Sequence, residues 1–225
     1  GDWNIGAAVS GAEMNENKEL KSEWPGIVEA VDLIGSTQIQ GRATLVGNLC
    51  NGSPAADTVP ALVAADASVV VQSPNGERII KVADVPHSPG KTNLQKGDVV
   101  KNVIVPAKKN KSSDAYLRFI PRTEMDIAVV GCGVWLQLNA DGFIVSARIS
   151  LGAVAPTVFK VDSATDILIG TQLDDDTLHK LAATASAACN PITDRRGTVE
   201  YRTHIAGVLA ERTAKIAYQR AGGVK

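Results

Sequence analysis

The chain has 225 residues, 44% of them apolar, and balances 23 Lys and Arg against 24 Asp and Glu for a net charge of −1. That length can bury a full core, as one large domain or two small ones. The missing basic excess argues against nucleic acid or an anionic membrane surface as a partner, and no apolar run approaches the roughly 20 residues needed to cross a bilayer.

In chain order, residues 3–9 read as a strand, and residues 11–20 and 25–33 as short helices. Pro25 sits at the first position of the second helix, where its missing N–H costs nothing. Residues 34–57 form a segment of glycines, small hydroxyls, amides and one carboxylate, read as a turn-rich loop. Glycines there let bare backbone N–H groups approach an anion. Residues 58–65 follow as one or two helical turns. Residues 68–72 and 77–82 are β-branched runs around Ser73-Pro74-Asn75-Gly76, a hairpin signal. Another strand spans 98–106 and is ended by Pro106.

Residues 107–114, with Lys108, Lys109 and Lys111, read as a polar joint between subdomains 1–106 and 115–225. Three strands are expected next, at 115–120, 128–138 and 143–151, the last two joined by a turn over 139–142. Three helices follow: 163–168 ending at Gly170, 174–189 opening on three aspartates, and 198–219. The last carries Ile205, Val208, Leu209, Ile216 and Ala217 as its expected buried stripe. Strands followed by helices in this manner argue for an α+β protein.

Cys50, Cys132 and Cys189 are far apart and form no Cys-x-x-Cys pair, which excludes an iron–sulfur or zinc site built from this chain alone. All three are expected to be small buried hydrophobes, and a sparse, odd set fits reduced thiols in a cytoplasmic protein. His87, His179 and His204 lack metal-ligand spacing. Neither a Gly-x-x-x-x-Gly-Lys-Ser/Thr loop nor a Gly-x-Ser-x-Gly elbow is present.

The order Thr44-Leu45-Val46-Gly47-Asn48, then Ser53-Pro54-Ala55-Ala56-Asp57, resembles the flavin-binding signature of the molybdenum hydroxylases, the family of xanthine dehydrogenase and aerobic carbon monoxide dehydrogenase. Val46 departs from it, standing where the first of two glycines is usual. The segment from Tyr116 to Ala128, ending Asp126-Ile127-Ala128, is similar to the family's second flavin-facing stretch. Residues 149–157 and 191–202 are similar to its C-terminal subdomain. The similarity is collinear over most of the chain.

That resemblance implies an FAD-binding subdomain with a mainly antiparallel sheet and flanking helices, followed by a C-terminal subdomain of a three-stranded antiparallel sheet with three helices. It implies FAD as cofactor, with Thr44 and the backbone of Leu45, Gly47 and Asn48 toward the diphosphate or ribityl chain. Asp57 would accept from ribityl or ribose hydroxyls. Ser53 belongs to the same turn, and Ser53 or Asp57 could equally cap the following helix. Ile34, Val99 and Val100 fall where the family lines the ring system, although each alone reads as core. Arg118 and Arg122 would flank the ring's pyrimidine end, surface arginine being the competing reading, and Asp126 belongs to the Asp-Ile-Ala element. Met125 replaces an acidic residue of xanthine dehydrogenase, so NAD use is not supported.

The implied function is an FAD-carrying electron-transfer subunit of a molybdenum-containing dehydrogenase. It would take electrons from the 2Fe-2S clusters of a small subunit and pass them to an external acceptor. Substrate oxidation would belong to a large molybdopterin subunit, in a heterotrimer or its dimer, with no catalytic or metal-binding residue on this chain. A flavin-free interaction or scaffold module that kept the fold is the alternative, favoured by Val46 and the missing diphosphate loop and opposed by Thr44, Gly47, Asn48 and Asp57. The chain opens on Gly1 and lacks the family's Ala-Gly-Gly diphosphate loop. Truncation at the N-terminus, with weak or absent FAD in this fragment, is the resulting expectation.

Overall fold

The computed structural model describes residues 1–223. Strand β1 (Trp3–Gly6) leads into helices α1 (Gly11–Glu16), α2 (Lys18–Glu23), α3 (Pro25–Asp32), α4 (Thr37–Gln40), α5 (Leu45–Cys50) and α6 (Thr58–Ala64). Strands β2 (Ser68–Ser73), β3 (Gly76–Lys81), β4 (Pro86–Ser88), β5 (Lys91–Thr92) and β6 (Val99–Val105) follow. The rest comprises β7 (Ser112–Phe119), β8 (Val130–Leu138), β9 (Ile144–Gly152), β10 (Phe159–Lys160), α7 (Asp162–Leu168), α8 (Asp175–Ala187) and α9 (Val199–Arg220).

Two four-stranded antiparallel sheets, ordered β1-β6-β2-β3 and β10-β9-β8-β7, carry this α+β fold, with helices packed against both. The expected hairpin forms, with Ser73 opposite Gly76. Gly76 takes φ 116°, which only glycine adopts without strain. In the second sheet a two-residue strand, β10, joins the three long ones.

Several elements differ from the sequence reading. Residues 11–20 do not form one helix. The chain breaks at Asn17, whose side chain accepts from Leu20 N and so starts α2 in place of continuing α1. The segment 34–57 is not an open loop, because it contains α4 and α5. Thr44 caps α5 by accepting from Gly47 N, and Leu45 and Leu49, four apart, bury one face of that helix.

Strand β7 begins at Ser112, inside the stretch read as a polar joint, and Ser112, Ser113 and Asp114 are buried. The buried face of α9 is also not the expected aliphatic stripe. Only Leu209 and Ala217 of that set are fully buried, beside Ala206, Gly207, Ala210, Thr213 and Ala214. Small residues let α9 lie close to the sheet and to α8. A Cβ on Gly207 would stand 2.7 Å from the Ala182 carbonyl. Among the cysteines only Cys132 is fully buried, and Cys50 is exposed.

Helix α6 joins the two halves. All seven of its residues are buried, and it packs on α3, α5, β7, β8 and β9. A helix apolar on every side belongs in an interior. The approach to the second sheet is close enough to require glycine: a Cβ on Gly133 would stand 2.5 Å from the Pro60 carbonyl oxygen, and one on Gly152 would stand 2.8 Å from Pro60 Cγ.

A second joint is polar. Asp114, buried in β7, receives the Ile27 N–H on Oδ2 at 3.1 Å, at the N-terminus of α3, where a carboxylate also meets the positive end of the helix dipole. Glu29 of the same helix accepts from Tyr116 N and pairs with Arg220 at the end of α9. Asp114 Oδ1 has no partner.

Burial pushes the Asp114 carboxyl up to about 7, against the backbone donors of Gly26 and Ile27, which favour the charge. Between the unfolded value of about 3.9 and that figure the native state binds more protons than the unfolded one. Through this group, stability therefore rises as pH falls from 8 toward 5. The advantage of Asp114→Asn over the wild type should be larger at pH 8 than at pH 5 in urea unfolding. Equal differences at both pH values would show that the carboxylate is not held at a desolvation cost.

Candidate functional site

The polar signature segment folds around one ion pair. Arg118, on β7, donates from Nη1 to Asp57 Oδ1 at 3.1 Å and to the Leu33 carbonyl at 2.8 Å. Its side chain is 2% exposed, and that of Asp57 is 13%. Burial raises the Asp57 carboxyl to about 6, while Arg118 works in the opposite direction. The neighbouring Tyr116 hydroxyl, on the same face of β7, is buried without a partner and is pushed well above its ordinary value by burial.

Asp57 occupies the N-cap position of α6 but makes no side-chain cap bond. Asn48 does that work from α5. Its Oδ1 accepts from Thr58 N at 3.0 Å and Thr58 Oγ1 at 2.7 Å, which leaves Nδ2 as the group able to donate outward. Ser53 closes a local turn by accepting from Ala55 N. Capping by Asn48 therefore frees Asp57 for Arg118 and for a ligand.

Thr44 Oγ1 accepts from Gly47 N, and the Asn48 amide donates to the Thr44 carbonyl, so both N–H groups are used inside α5. Leu45 is a core residue. Val46, the departure from the usual glycine, is partly buried and packs against the first core. Ile34, half-buried, follows Leu33 directly at the end of α3. On β6, which packs against α5, Val100 is buried and Val99 is exposed, because neighbours on a strand face opposite sides.

Arg122 and Asp126 form a separate cluster on the loop after β7. Arg122 Nε reaches Asp126 Oδ2 at 3.2 Å, and Arg196 from the C-terminal segment reaches Oδ1 at 3.4 Å. The two arginines and the Ile127 amide hold the Asp126 carboxyl below the usual carboxylate range. The structure thus brings Leu33, Asn48, Asp57 and Arg118 together around the start of α6, with Ile34 next to Leu33 in the chain, Thr44 one turn before Asn48 at the start of α5, Ser53 in a local turn, and Arg122 and Asp126 in a separate cluster.

Sequence reasoning missed the Leu33 carbonyl, Thr58, Arg196 and Arg202. Only Thr58 left a signal, as the residue after Asp57 at a helix start. The histidines are exposed, and among the described residues no group of acidic, His or Cys side chains could hold a metal ion. Likewise, among the described residues no helix is long and apolar enough to cross a membrane.

Chemically, the cluster offers a half-shielded carboxylate with one oxygen taken, an outward amide donor, a hydroxyl and a fixed guanidinium, beside the side-chain-free surface of Gly47. A ligand carrying several hydroxyls and an acidic or carbonyl-rich ring suits that set. Polar groups of this kind at a helix start, in an α+β fold with helix-backed antiparallel sheets, are of the type that binds a nucleotide cofactor.

The comparisons with known proteins specify it. Residues 1–108 match the FAD binding domain in molybdopterin dehydrogenase, and residues 115–217 match the CO dehydrogenase flavoprotein C-terminal domain. The carbon monoxide dehydrogenase medium chain of Afipia carboxidovorans is 31% identical over 220 residues, covering 98% of this chain and 76% of that protein. The xanthine dehydrogenase FAD-binding subunit of Escherichia coli O157:H7 is 26% identical over 224 residues, covering 99% and 76%. A crystal structure of the Cu,Mo-CO dehydrogenase in its cyanide-inactivated form contains a chain that superposes with a TM-score of 0.92 at 31% identity, covering 97% of this chain and 76% of that one. The chain belongs to the family of FAD-binding medium subunits of the molybdenum hydroxylases, and FAD is the cofactor expected of it. Its relatives are subunits of oxidoreductases.

Arg118→Ala would leave the Asp57 carboxylate in a largely buried site without its countercharge. Removing one partner of such a pair costs about 3 kcal/mol. The variant should lose stability on that scale in chemical unfolding, and Asp57 should titrate above its value of about 6 in carboxyl-carbon NMR. An unmoved Asp57 titration would show that the pair is not coupled.

Proposed function

We propose that this chain is the FAD-carrying electron-transfer subunit of a molybdenum-containing hydroxylase or dehydrogenase. In this reading it receives electrons from the 2Fe-2S clusters of a small subunit and passes them to an external acceptor. Substrate oxidation takes place on a large molybdopterin subunit. The observation that carries the reading is the Asp57–Arg118 pair, placed at the start of α6 inside the flavin signature.

FAD, when bound, supplies the redox chemistry. The residues of this chain bind and orient it. Asp57, with Oδ1 fixed by Arg118, accepts from ribityl or ribose hydroxyls. Thr44, Ser53 and the amide of Asn48 supply further polar contacts along the same segment, and the exposed Gly47 lets the ligand come close to α5. Ile34 and Val99 offer apolar surface to the ring, while Val100 and Leu45 support from the core. Arg118, held in a poorly hydrated site and paired with Asp57, would supply a preorganised positive charge to a cofactor bound beside it. Arg122 and Asp126, tied to each other and to Arg196 in a cluster of their own, are proposed as flavin contacts on the family resemblance alone.

The alternative, a flavin-free scaffold, drew on Val46. Val46 is partly buried and packs on the core around α3 and α6, and the chain's match to the FAD-binding family supports the flavin reading over the scaffold. Cytoplasmic location and assembly with the two partner subunits complete the proposal.

Purification of the tagged chain from its native cells, with flavin, iron and molybdenum analysed, tests the assignment. All three should co-purify in near-integral ratios. A chain recovered with neither flavin nor an iron–sulfur partner would establish the scaffold reading.

A pH experiment addresses Asp57 itself. Protonation removes its charge, so FAD affinity should fall as pH drops through about 6, and Asp57→Asn should flatten the dependence. A wild-type profile that is flat between pH 8 and 5 would rule out the carboxylate as a hydroxyl acceptor.

A further inference from the structure

Adjoining the Asp57–Arg118 cluster through Pro54 and Ala55 of the signature turn, the 127–128 stretch, the loop after β9 and residues between 190 and 202 line a cavity of about 350 Å³. That volume falls in the range of small-molecule sites. Its walls are apolar, with Pro54, Pro191, Ile127 and Ile192 prominent among them. Ile127 and Ile192 are 53% and 71% exposed, an unfavourable state for large aliphatic side chains unless something covers them.

The cavity is held open by backbone. Ala153, at φ 64°, donates to the Pro54 carbonyl at 2.7 Å, and Asn190 N donates to the Val154 carbonyl at 2.8 Å. A non-glycine residue in the left-handed region persists only where its surroundings impose it.

One charged side chain is buried in the wall. Arg202, 3% exposed, donates from Nη1 to the carbonyls of Val129 (2.7 Å) and Ala153 (3.1 Å), and from Nη2 to Asp194 at 2.8 Å. Those bonds use three of its five N–H donors, and Nε has no partner at all. Asp194 already balances the charge and is held below the usual carboxylate range, with the Arg202 hydrogen bond as the largest cause. What remains at this site is donor capacity without net charge, inside apolar walls.

We propose that this cavity, which adjoins the proposed flavin site at Pro54 and Ala55 and is centred on Arg202, takes an uncharged and mainly apolar ring compound bearing a hydrogen-bond acceptor such as a ring carbonyl. A carboxylate ligand would add unbalanced charge beside the Arg202–Asp194 pair. A pure hydrocarbon would leave the guanidinium donors unused, and a buried donor without a partner is costly.

Three probes of similar size separate the classes: acetophenone, benzoate and ethylbenzene, titrated against the chain and followed by amide shifts in ¹H–¹⁵N spectra. Acetophenone should bind most tightly, with shifts centred on Ala128, Ala153 and Ile192. Ala155→Phe, which fills the cavity from a half-exposed wall position, should weaken it by about tenfold or more, a loss of about 1.4 kcal/mol, without altering the remaining spectrum. Tighter binding of benzoate or of ethylbenzene would overturn the ligand class. Absence of saturable binding by the wild type, or shifts centred elsewhere, would overturn the site. If Ala155→Phe fails to fold, the wild-type shift map and probe ranking decide alone.

Discussion

The close contact of helix α6 with the second sheet is the constraint on which the rest of the molecule depends. Pro60 lies directly over Gly133 and Gly152, where any side chain would collide. Because α6 is pressed down at that point, its first residues are carried to the edge of β7, and Asp57 meets Arg118 there. The apolar burial of all seven helix residues supplies the driving force, at about 1.5–3 kcal/mol for each fully buried large side chain. The two glycines set the distance. The pairing of Asp57 from one half with Arg118 from the other is a consequence of that packing.

Around this contact two ion pairs, Asp57–Arg118 and Glu29–Arg220, cross between the halves, and a third, Arg202–Asp194, ties residues within the C-terminal half. Asp114 also caps α3. Each arginine donates to backbone carbonyls as well, Arg118 to that of Leu33, Arg220 to that of Asp114, and Arg202 to those of Val129 and Ala153. Such pairs gain little net stability over apolar packing, because desolvation offsets the attraction. Their geometric demand is strict, however, and the two that cross select one docking of the two halves over others of similar apolar burial.

Much of the architecture was legible from local pattern. The hairpin at residues 73–76, the strands around the 139–142 turn, and the helices opened by Asp174 and Thr198 follow from turn chemistry, β-branched runs and side-chain caps. The signature residues were legible as a set too, because their order is informative in itself. Their individual tasks were not. The backbone of Asn48 is expected toward the diphosphate or ribityl chain, whereas its side-chain oxygen, for which the sequence offers no task, caps α6. Asp57 could have been that cap and is paired with Arg118 sixty-one residues away in sequence. A capping residue brought from another helix leaves no spacing rule to detect.

What the sequence determined by itself is the local chemistry: which residues turn, cap, alternate or carry charge, and hence an α+β chain with a flavin-type polar segment. Only the tertiary structure decided which of those polar groups spend their hydrogen bonds internally and which stay open to a ligand. It also decided that the face of α9 toward the sheet is built of small residues, and that Arg202 lies buried beside an apolar cavity. The physical reason is that burial and pairing depend on contacts between residues tens to hundreds of positions apart. Composition and periodicity cannot rank such contacts, whereas close packing at glycine and proline resolves them.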